Sequence, residues 1–239
     1  MKRIISIFTL ILLLHSCSSE FKPATFETIT IDTSFKAEIS ATFDKAVGNT
    51  ELSKKINTNI EIAISETLSS PENNDDLETI LKAFNIEYVN FKKDFPDASE
   101  TVWELSIETE KIYQSEDIIT FAISTYEFQG GAHGNDKIKF LNLNAKTGNI
   151  LNINEMIDLS EAFKDIAKTF FLKNIETREE NLKMEDFFFG KPFQLPENIG
   201  FSDDGLVLLY NVYEVASYAQ GYTEFAIPFE EVQSYLKVN

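Results

Sequence analysis

Two long stretches of alternating apolar and polar residues lie back to back in this chain. Thr101 to Tyr113 and Asp117 to Phe128 are separated only by Gln114-Ser115-Glu116. A period of two marks a half-buried strand, and so short a polar join returns the second strand antiparallel to the first, since a parallel return needs a long crossover. Ile119, Phe121 and Ile123 then share one face. A large antiparallel sheet is therefore the element around which the rest must pack.

The preceding segments supply more strands and two helices. Thr25 to Asp32 alternates, and so does Phe35 to Phe43, with Phe35, Ala37, Ile39, Ala41 and Phe43 on one side. These two are expected to pair as a hairpin. After Gly48-Asn49-Thr50, the residues Leu52, Ile56, Ile60, Ala63, Ile64 and Leu68 recur at spacings of three and four, which predicts a helix. Ser70 to Asn74 punctuates the chain. Asp75 with Glu78 resembles a capping box, and the second helix carries the stripe Leu77, Ile80, Leu81, Phe84, Tyr88, Phe91 and Phe95 up to Pro96.

After the long hairpin, Lys137 to Asn142 reads as a strand and Asn144 to Asn149 as a turn with Gly148 at its left-handed position. Ser160 to Ile175 is helical. Leu206 to Tyr213 and Thr223 to Ile227 are strands, and Pro228 is placed at the first position of a last helix. The block order predicts an α+β fold with antiparallel sheets and packed helices, not a doubly wound parallel sheet. The expected division is 25–110 for an N-terminal lobe and 111–239 for a C-terminal lobe.

The first residues read as an address. Lys2 and Arg3 precede the apolar run Ile4 to Leu14, a charged region followed by a short hydrophobic one, as in a secretory signal. The run falls short of the roughly 18 apolar residues of a permanent span. Leu14-His15-Ser16-Cys17 looks like a lipobox, which implies cleavage after residue 16, lipid on Cys17 and a tether over 17–24. Cys17 is the only cysteine, so no disulfide set competes for it. Ser18 and Ser19 after it, by resemblance to sorting patterns, favour the outer membrane of a Gram-negative cell.

Charge narrows the partners. The chain carries 39 acidic against 21 basic residues, a formal charge of −18 that becomes about −20 once Lys2 and Arg3 leave with the leader. Such a field repels nucleic acid and favours basic partners. With 43% hydrophobic residues and 21 Phe in the whole chain, all but one of them after the leader, the body is expected to bury a sizeable core rather than form a disordered stalk.

Three stretches carry a resemblance. They are Tyr126-Glu127-Phe128-Gln129-Gly130-Gly131-Ala132-His133-Gly134; Leu141 to Asn144 with Lys146-Thr147-Gly148 and Ile153 to Ile157; and Phe201 to Tyr210 running into Tyr213-Glu214-Val215-Ala216-Ser217-Tyr218-Ala219-Gln220-Gly221. Together they resemble the PdaC/RsiV-like domain family over roughly Thr25 to Val238, most strongly from Tyr126 onward. That family is found in extracytoplasmic parts of lysozyme-sensing anti-sigma factors, beside polysaccharide deacetylase domains, and alone in lipoproteins. Ser217 departs from a position where the family often has Pro. The resemblance implies an α+β fold in two lobes and a role in binding or sensing, with lysozyme or peptidoglycan as partners. It implies neither an anti-sigma nor a deacetylase role for this chain.

No set of residues is complete for catalysis, and the chain is expected not to be an enzyme. His133 is the only histidine after the leader, and Cys17 is assigned to lipid, so a zinc site and any other cofactor are not expected. The Asn142-Leu143-Asn144 spacing fails as a calcium loop because position twelve is Ile153. Chance pairs among so many carboxylates leave glycoside cleavage open without naming a pair. The candidate ligand-binding residues are Gly130, Gly131, His133 and Gly134, in a loop where glycine lets a ligand reach the backbone, and Tyr213, Tyr218 and Tyr222. Trp103, Tyr126 and Tyr210 are the other aromatics that a sugar- or protein-binding face would draw on; ordinary sheet packing is the alternative for all of them. The expected function is a lipid-anchored envelope module that binds a wall glycan or an envelope protein, the alternatives being a lysozyme-binding or lysozyme-inhibiting protein and a wall hydrolase.

Overall fold

The computed structural model describes residues 21–31, 34–68, 76–96, 101–178 and 182–238. The leader, Cys17 and Asp75 lie outside them. In chain order the elements are β1 (Phe26–Ile31), β2 (Glu38–Ala46), α1 (Glu51–Thr67), α2 (Leu77–Asp94), β3 (Glu104–Gln114), β4 (Ile118–Phe128), β5 (Asn135–Asn144), α3 (Ile153–Met156), α4 (Glu161–Arg178), β6 (Asn198–Ser202), β7 (Gly205–Tyr210), β8 (Thr223–Ile227) and α5 (Phe229–Val232). They form an α+β fold with two hydrophobic cores. Among the described residues no helix is long and apolar enough to cross a membrane.

The first lobe is a five-stranded sheet in the order β1-β2-β3-β4-β5. Its long hairpin is β3–β4, antiparallel from Glu104↔Phe128 to Gln114↔Ile119. The expectation of antiparallel sheets holds everywhere except β2–β3, which run parallel. The reason is the connection: α1 and α2 form the long crossover that a parallel pair requires. Both helices lie on one face of the sheet. Ile56, Ile60 and Ile64 of α1 and Leu81 and Phe84 of α2 pack against Leu105, Ile107, Phe121, Ile123, Leu141 and Leu143. The expected division at 110/111 falls inside β3 and cuts this sheet, because strands from both sides of it pair in one ladder.

The helix ends follow local chemistry. Thr50 caps α1, its hydroxyl accepting from Ser53 N at 3.1 Å. Asp76, not Asp75, caps α2, accepting from Thr79 N at 2.8 Å. Of the periodic stripe of α2, Leu77, Leu81, Phe84 and Tyr88 are buried and Ile80 is partly buried, but Phe95 at its end is 55% exposed. Asn144 Oδ1 accepts from Thr147 N at 2.9 Å, closing the expected turn. Gly148 there has φ +68 and lies against Leu52 and Ile56 of α1.

The second lobe is the meander β6-β7-β8 with α4 packed on it. Phe171 on α4 is fully buried and meets the rings of Phe187, Phe188, Phe193, Tyr210 and Phe225. Strand β6 was not expected from the sequence, since five residues with a central glycine carry little periodicity. The strand expected to reach Tyr213 stops at Tyr210, where the chain enters a turn. Pro228 precedes α5 as its cap, not its first helical residue.

The lobes meet where β6 lies over the β4–β5 face. A Cβ on Gly200 would stand 2.9 Å from Phe140 and Thr120, so only glycine permits this approach. Asparagine side chains then occupy the edge of β5. Asn198 Oδ1 accepts from Phe140 N at 2.6 Å and Asn211 Oδ1 from Ile138 N at 2.8 Å; both amides donate back to Ile138 O at 2.9 Å. Buried Asn142 donates to Ile199 O at 2.8 Å and accepts from Thr120 at 2.8 Å.

Candidate aromatic binding cleft

The junction leaves half of the sheet's outer face open. At the Thr120–Asn142 end that face is covered by β6. At the other end the β4–β5 loop projects, and the β7–β8 connection folds down to meet it. This brings together the two candidate stretches, 80 residues apart in sequence. His133 and Tyr218 stack with centroids 4.2 Å apart and planes at 19°. Tyr213 joins them, 5.6 Å from Tyr218 and 6.3 Å from His133.

The hydrogen bonds define the imidazole. His133 Nδ1 lies 2.9 Å from Gly134 O, and a carbonyl only accepts, so Nδ1 carries the proton. In the neutral ring Nε2 is then the acceptor, and the Tyr213 hydroxyl donates to it over 3.3 Å. Both nitrogens are engaged, one by a backbone carbonyl and the other by a phenol hydroxyl.

Backbone geometry holds the tyrosines out. Among the described residues, the non-glycine residues in the left-handed region are Phe188, Phe189 and Tyr213. Tyr213 has φ +66 and is 56% exposed. It occupies the third place of the turn Asn211–Glu214, a position that favours glycine. Glu214 N donates to Asn211 O at 3.0 Å, and Asn211 N to Glu214 Oε2 at 2.8 Å. Buried Val215 and Ala216 pin the next residues into the second core, and Phe188 N donates to Val215 O at 2.6 Å. The left-handed Phe188–Phe189 pair and Tyr213 thus belong to two segments tied together. Burial raises the Glu214 carboxyl above its usual range.

The glycines of the loop differ in role. Gly130 and Gly131 have φ of +94 and +105 with open space around them, so conformation alone demands glycine. Gly134 is buried, and a Cβ there would overlap the Tyr126 ring, 2.6 Å from its hydroxyl oxygen. Tyr126 therefore belongs to the cleft. It follows from the eight-residue spacing across one hairpin, which the sequence displays but does not interpret. A cavity of about 220 Å³ is lined by Glu127, Gln129, His133, Gly134, Tyr213 and Tyr218. A second of about 190 Å³ lies between Tyr126 and Tyr222. Tyr222 is fixed through its carbonyl, which accepts from Arg178 at 2.6 Å, and burial, then Asp136, pushes its phenol up to about 12.

Of the six aromatics singled out from the sequence, two are core residues. Trp103 packs among Phe84, Tyr88 and Phe91, and Tyr210 is buried with its hydroxyl donating to Gln194 O at 2.5 Å. Among the described residues no group of three or more His, Cys, Asp and Glu side chains is placed to hold a metal ion.

The comparisons with known proteins agree with this architecture. Residues 32–136 match the family described as deacetylase PdaC, and residues 147–230 match a family described as a protein of unknown function, DUF3298. The two matches support the resemblance to a PdaC-like domain family. The first match lies on the five-stranded lobe and ends at residue 136, at the start of β5; the second begins at residue 147, after β5, and lies on the meander lobe. A crystal structure of a DUF3298 family member from Bacteroides fragilis superposes with a TM-score of 0.66 at 18% identity, covering 90% of this chain and 95% of that one. One from Pseudomonas aeruginosa gives 0.61 at 19% identity, covering 91% and 96%. These likenesses establish the fold. No curated protein matches the sequence.

Proposed function

We propose that this is a lipid-anchored, extracytoplasmic binding module that takes a cell-wall glycan at the aromatic cleft without turning it over. One observation carries the reading: His133, Tyr213 and Tyr218 form a stacked, solvent-facing cluster, with Tyr213 held there in a backbone conformation that costs about 1 kcal/mol in a non-glycine residue. Strain that merely kept a core intact would bury its side chain; here it presents one. Exposed ring faces pack the C–H faces of sugars, and the surrounding hydroxyl and amide groups meet sugar hydroxyls. The Gly130–Gly134 backbone lines the same space. Lipid on Cys17 is part of the proposal and rests on the Leu14–Cys17 motif. The word deacetylase belongs to the matched family's description, and nothing in the described residues assigns that chemistry to this cleft.

The test is co-sedimentation of the purified protein with peptidoglycan sacculi. Binding is expected at micromolar concentration and is expected to fall at least about tenfold in Tyr213→Ala and Tyr218→Ala. Unimpaired binding by both variants would move the site elsewhere, and no sedimentation at all would remove the reading.

A second reading has its own observation. The formal charge of −18 favours a basic protein partner, of which lysozyme is an example. Calorimetry against lysozyme at low and high salt separates the two, because a charge-driven complex weakens as salt rises.

A further inference from the structure

The outer face of the sheet continues the cleft past Tyr126, and its chemistry bears on which sugars would bind; this inference rests on the glycan reading above. Ser106 and Tyr126 are register partners on β3 and β4, and Asp136 is the partner of Tyr126 on β5. Glu104 is the partner of Glu38 across the parallel β2–β3 pair, so two carboxylates stand side by side on one face. A hollow of about 460 Å³ is bounded by Glu38, Ser40, Glu104, Ser106 and Tyr126. The hollow of about 190 Å³ shares Ser106 and Tyr126 with it and adds Glu108, Asp136 and Tyr222. The two hollows adjoin at Ser106 and Tyr126, which line both, and together make up the groove.

This groove is acidic by construction. Like charges directly opposed on neighbouring strands are unfavourable, yet Glu38 and Glu104 occupy such a pair. Lys137 borders the groove, but its ammonium donates to Glu66 O at 3.3 Å, on another element. Burial, then Glu104 and Asp136, raise the Tyr126 phenol above its usual range. A neutral sugar stacked on Tyr126 leaves these charges uncompensated. A protonated amine on that sugar would meet carboxylates and a ring face together.

We propose that the groove between Tyr126 and Tyr222 selects glycans bearing free amino groups, that is de-N-acetylated amino sugars, over their N-acetylated forms. Aromatic faces and serine hydroxyls repeat along the groove as sugar rings do along a strand, whereas a basic peptide would be held by charge alone.

The experiment is calorimetric titration of the full-length protein in detergent with three probes: a chitosan hexamer, a chitin hexamer and hexalysine. It is run at mildly acidic pH, where the chitosan amines are protonated. The chitosan hexamer is expected to bind about tenfold or more tightly than the chitin hexamer. That preference is expected to shrink with salt and to be lost in Glu104→Gln and Asp136→Asn, both still folded by circular dichroism. Equal affinity for the two hexamers, or preference for chitin, overturns this inference and leaves the glycan reading standing. Hexalysine binding as tightly as chitosan overturns it too, since charge alone would then suffice. Silence toward both sugars overturns the glycan reading itself.

Discussion

Tyr213 is where stability and binding are set against each other most plainly. Its φ of +66 suits glycine, so Tyr213→Gly is expected to raise the stability of the fold by up to about 1 kcal/mol while abolishing ligand binding. Denaturant melts and sacculus binding on the same variant check both halves; a destabilised variant would mean that the ring contributes more to packing than its exposure implies. Gly134→Ala tests the opposite case. The added methyl meets the Tyr126 ring, and a cost of about 1–3 kcal/mol is expected in melts, with weakened binding. Glu61 gives a pH signature. Burial, then the Asp76 carboxylate, raises its pKa above 4.5 against the pull of Lys45. The folded state therefore holds this proton more tightly than the unfolded one, so the stability it contributes is present in acid and is lost as pH rises through the raised value. Glu61→Gln is expected to stabilise at neutral pH by less than about 1 kcal/mol, given partial exposure, with the gain vanishing in acid. A gain that persisted at low pH would contradict this assignment. The residue types of the cleft were readable in the sequence, because glycine runs and exposed-type tyrosines in turns have a local physical meaning. That Trp103 and Tyr210 are core while Tyr213 and Tyr218 are surface was not, since aromatic residues serve both ends and only the packing decides.

At the scale of elements, the edge of β5 is the most consequential feature. A bare strand edge invites pairing with other chains, and here Asn198 and Asn211 side chains stand in for a sixth strand. Asn198→Ala is expected to unprotect the Phe140 amide in hydrogen exchange and to cost about 1–3 kcal/mol, while the core amides of β3 and β4 keep their protection. Unchanged exchange at Phe140 would show that the side chain is not what protects the edge. The hairpins, the paired helices and the turn at Asn144 followed from period and punctuation. Strand β6 did not, and neither did the parallel β2–β3 pair, because register and partner choice across a crossover are fixed by packing rather than by either strand's own pattern. The meeting of His133 with Tyr213 depends on the asparagine clamps, and polar residues in loops carry no periodic signal that would have announced them.

At the scale of the whole molecule, the chain entry and the cleft occupy opposite ends of one sheet. Phe21 packs against the first core, Thr25 O accepts from Val47 N, and Phe26 pairs with Ala46, near the level where Asp44 accepts from Lys111 N. The Gly130–Gly134 loop follows the far end of β4, which runs seven residues or about 24 Å from Phe121, the partner of Lys111, to Phe128. Phe21 is the fourth residue after Cys17, a reach of at most about 14 Å. A protein lipidated at Cys17 is therefore expected to hold its cleft away from the membrane that anchors it, toward the wall. On vesicles with lipid-borne quencher, a fluorophore on Glu116→Cys should be quenched strongly and one on Ala132→Cys weakly; the reverse order would sink this orientation.

The proposed function requires that the His133–Tyr213–Tyr218 cleft take a glycan. A two-dimensional NMR titration of the protein with soluble peptidoglycan fragments tests it most directly. The amides of Gly130, Gly131 and Gly134 and those of residues 211–222 are expected to shift together and saturably. Shifts confined to α1 and α2, or no shifts at millimolar fragment, would contradict it.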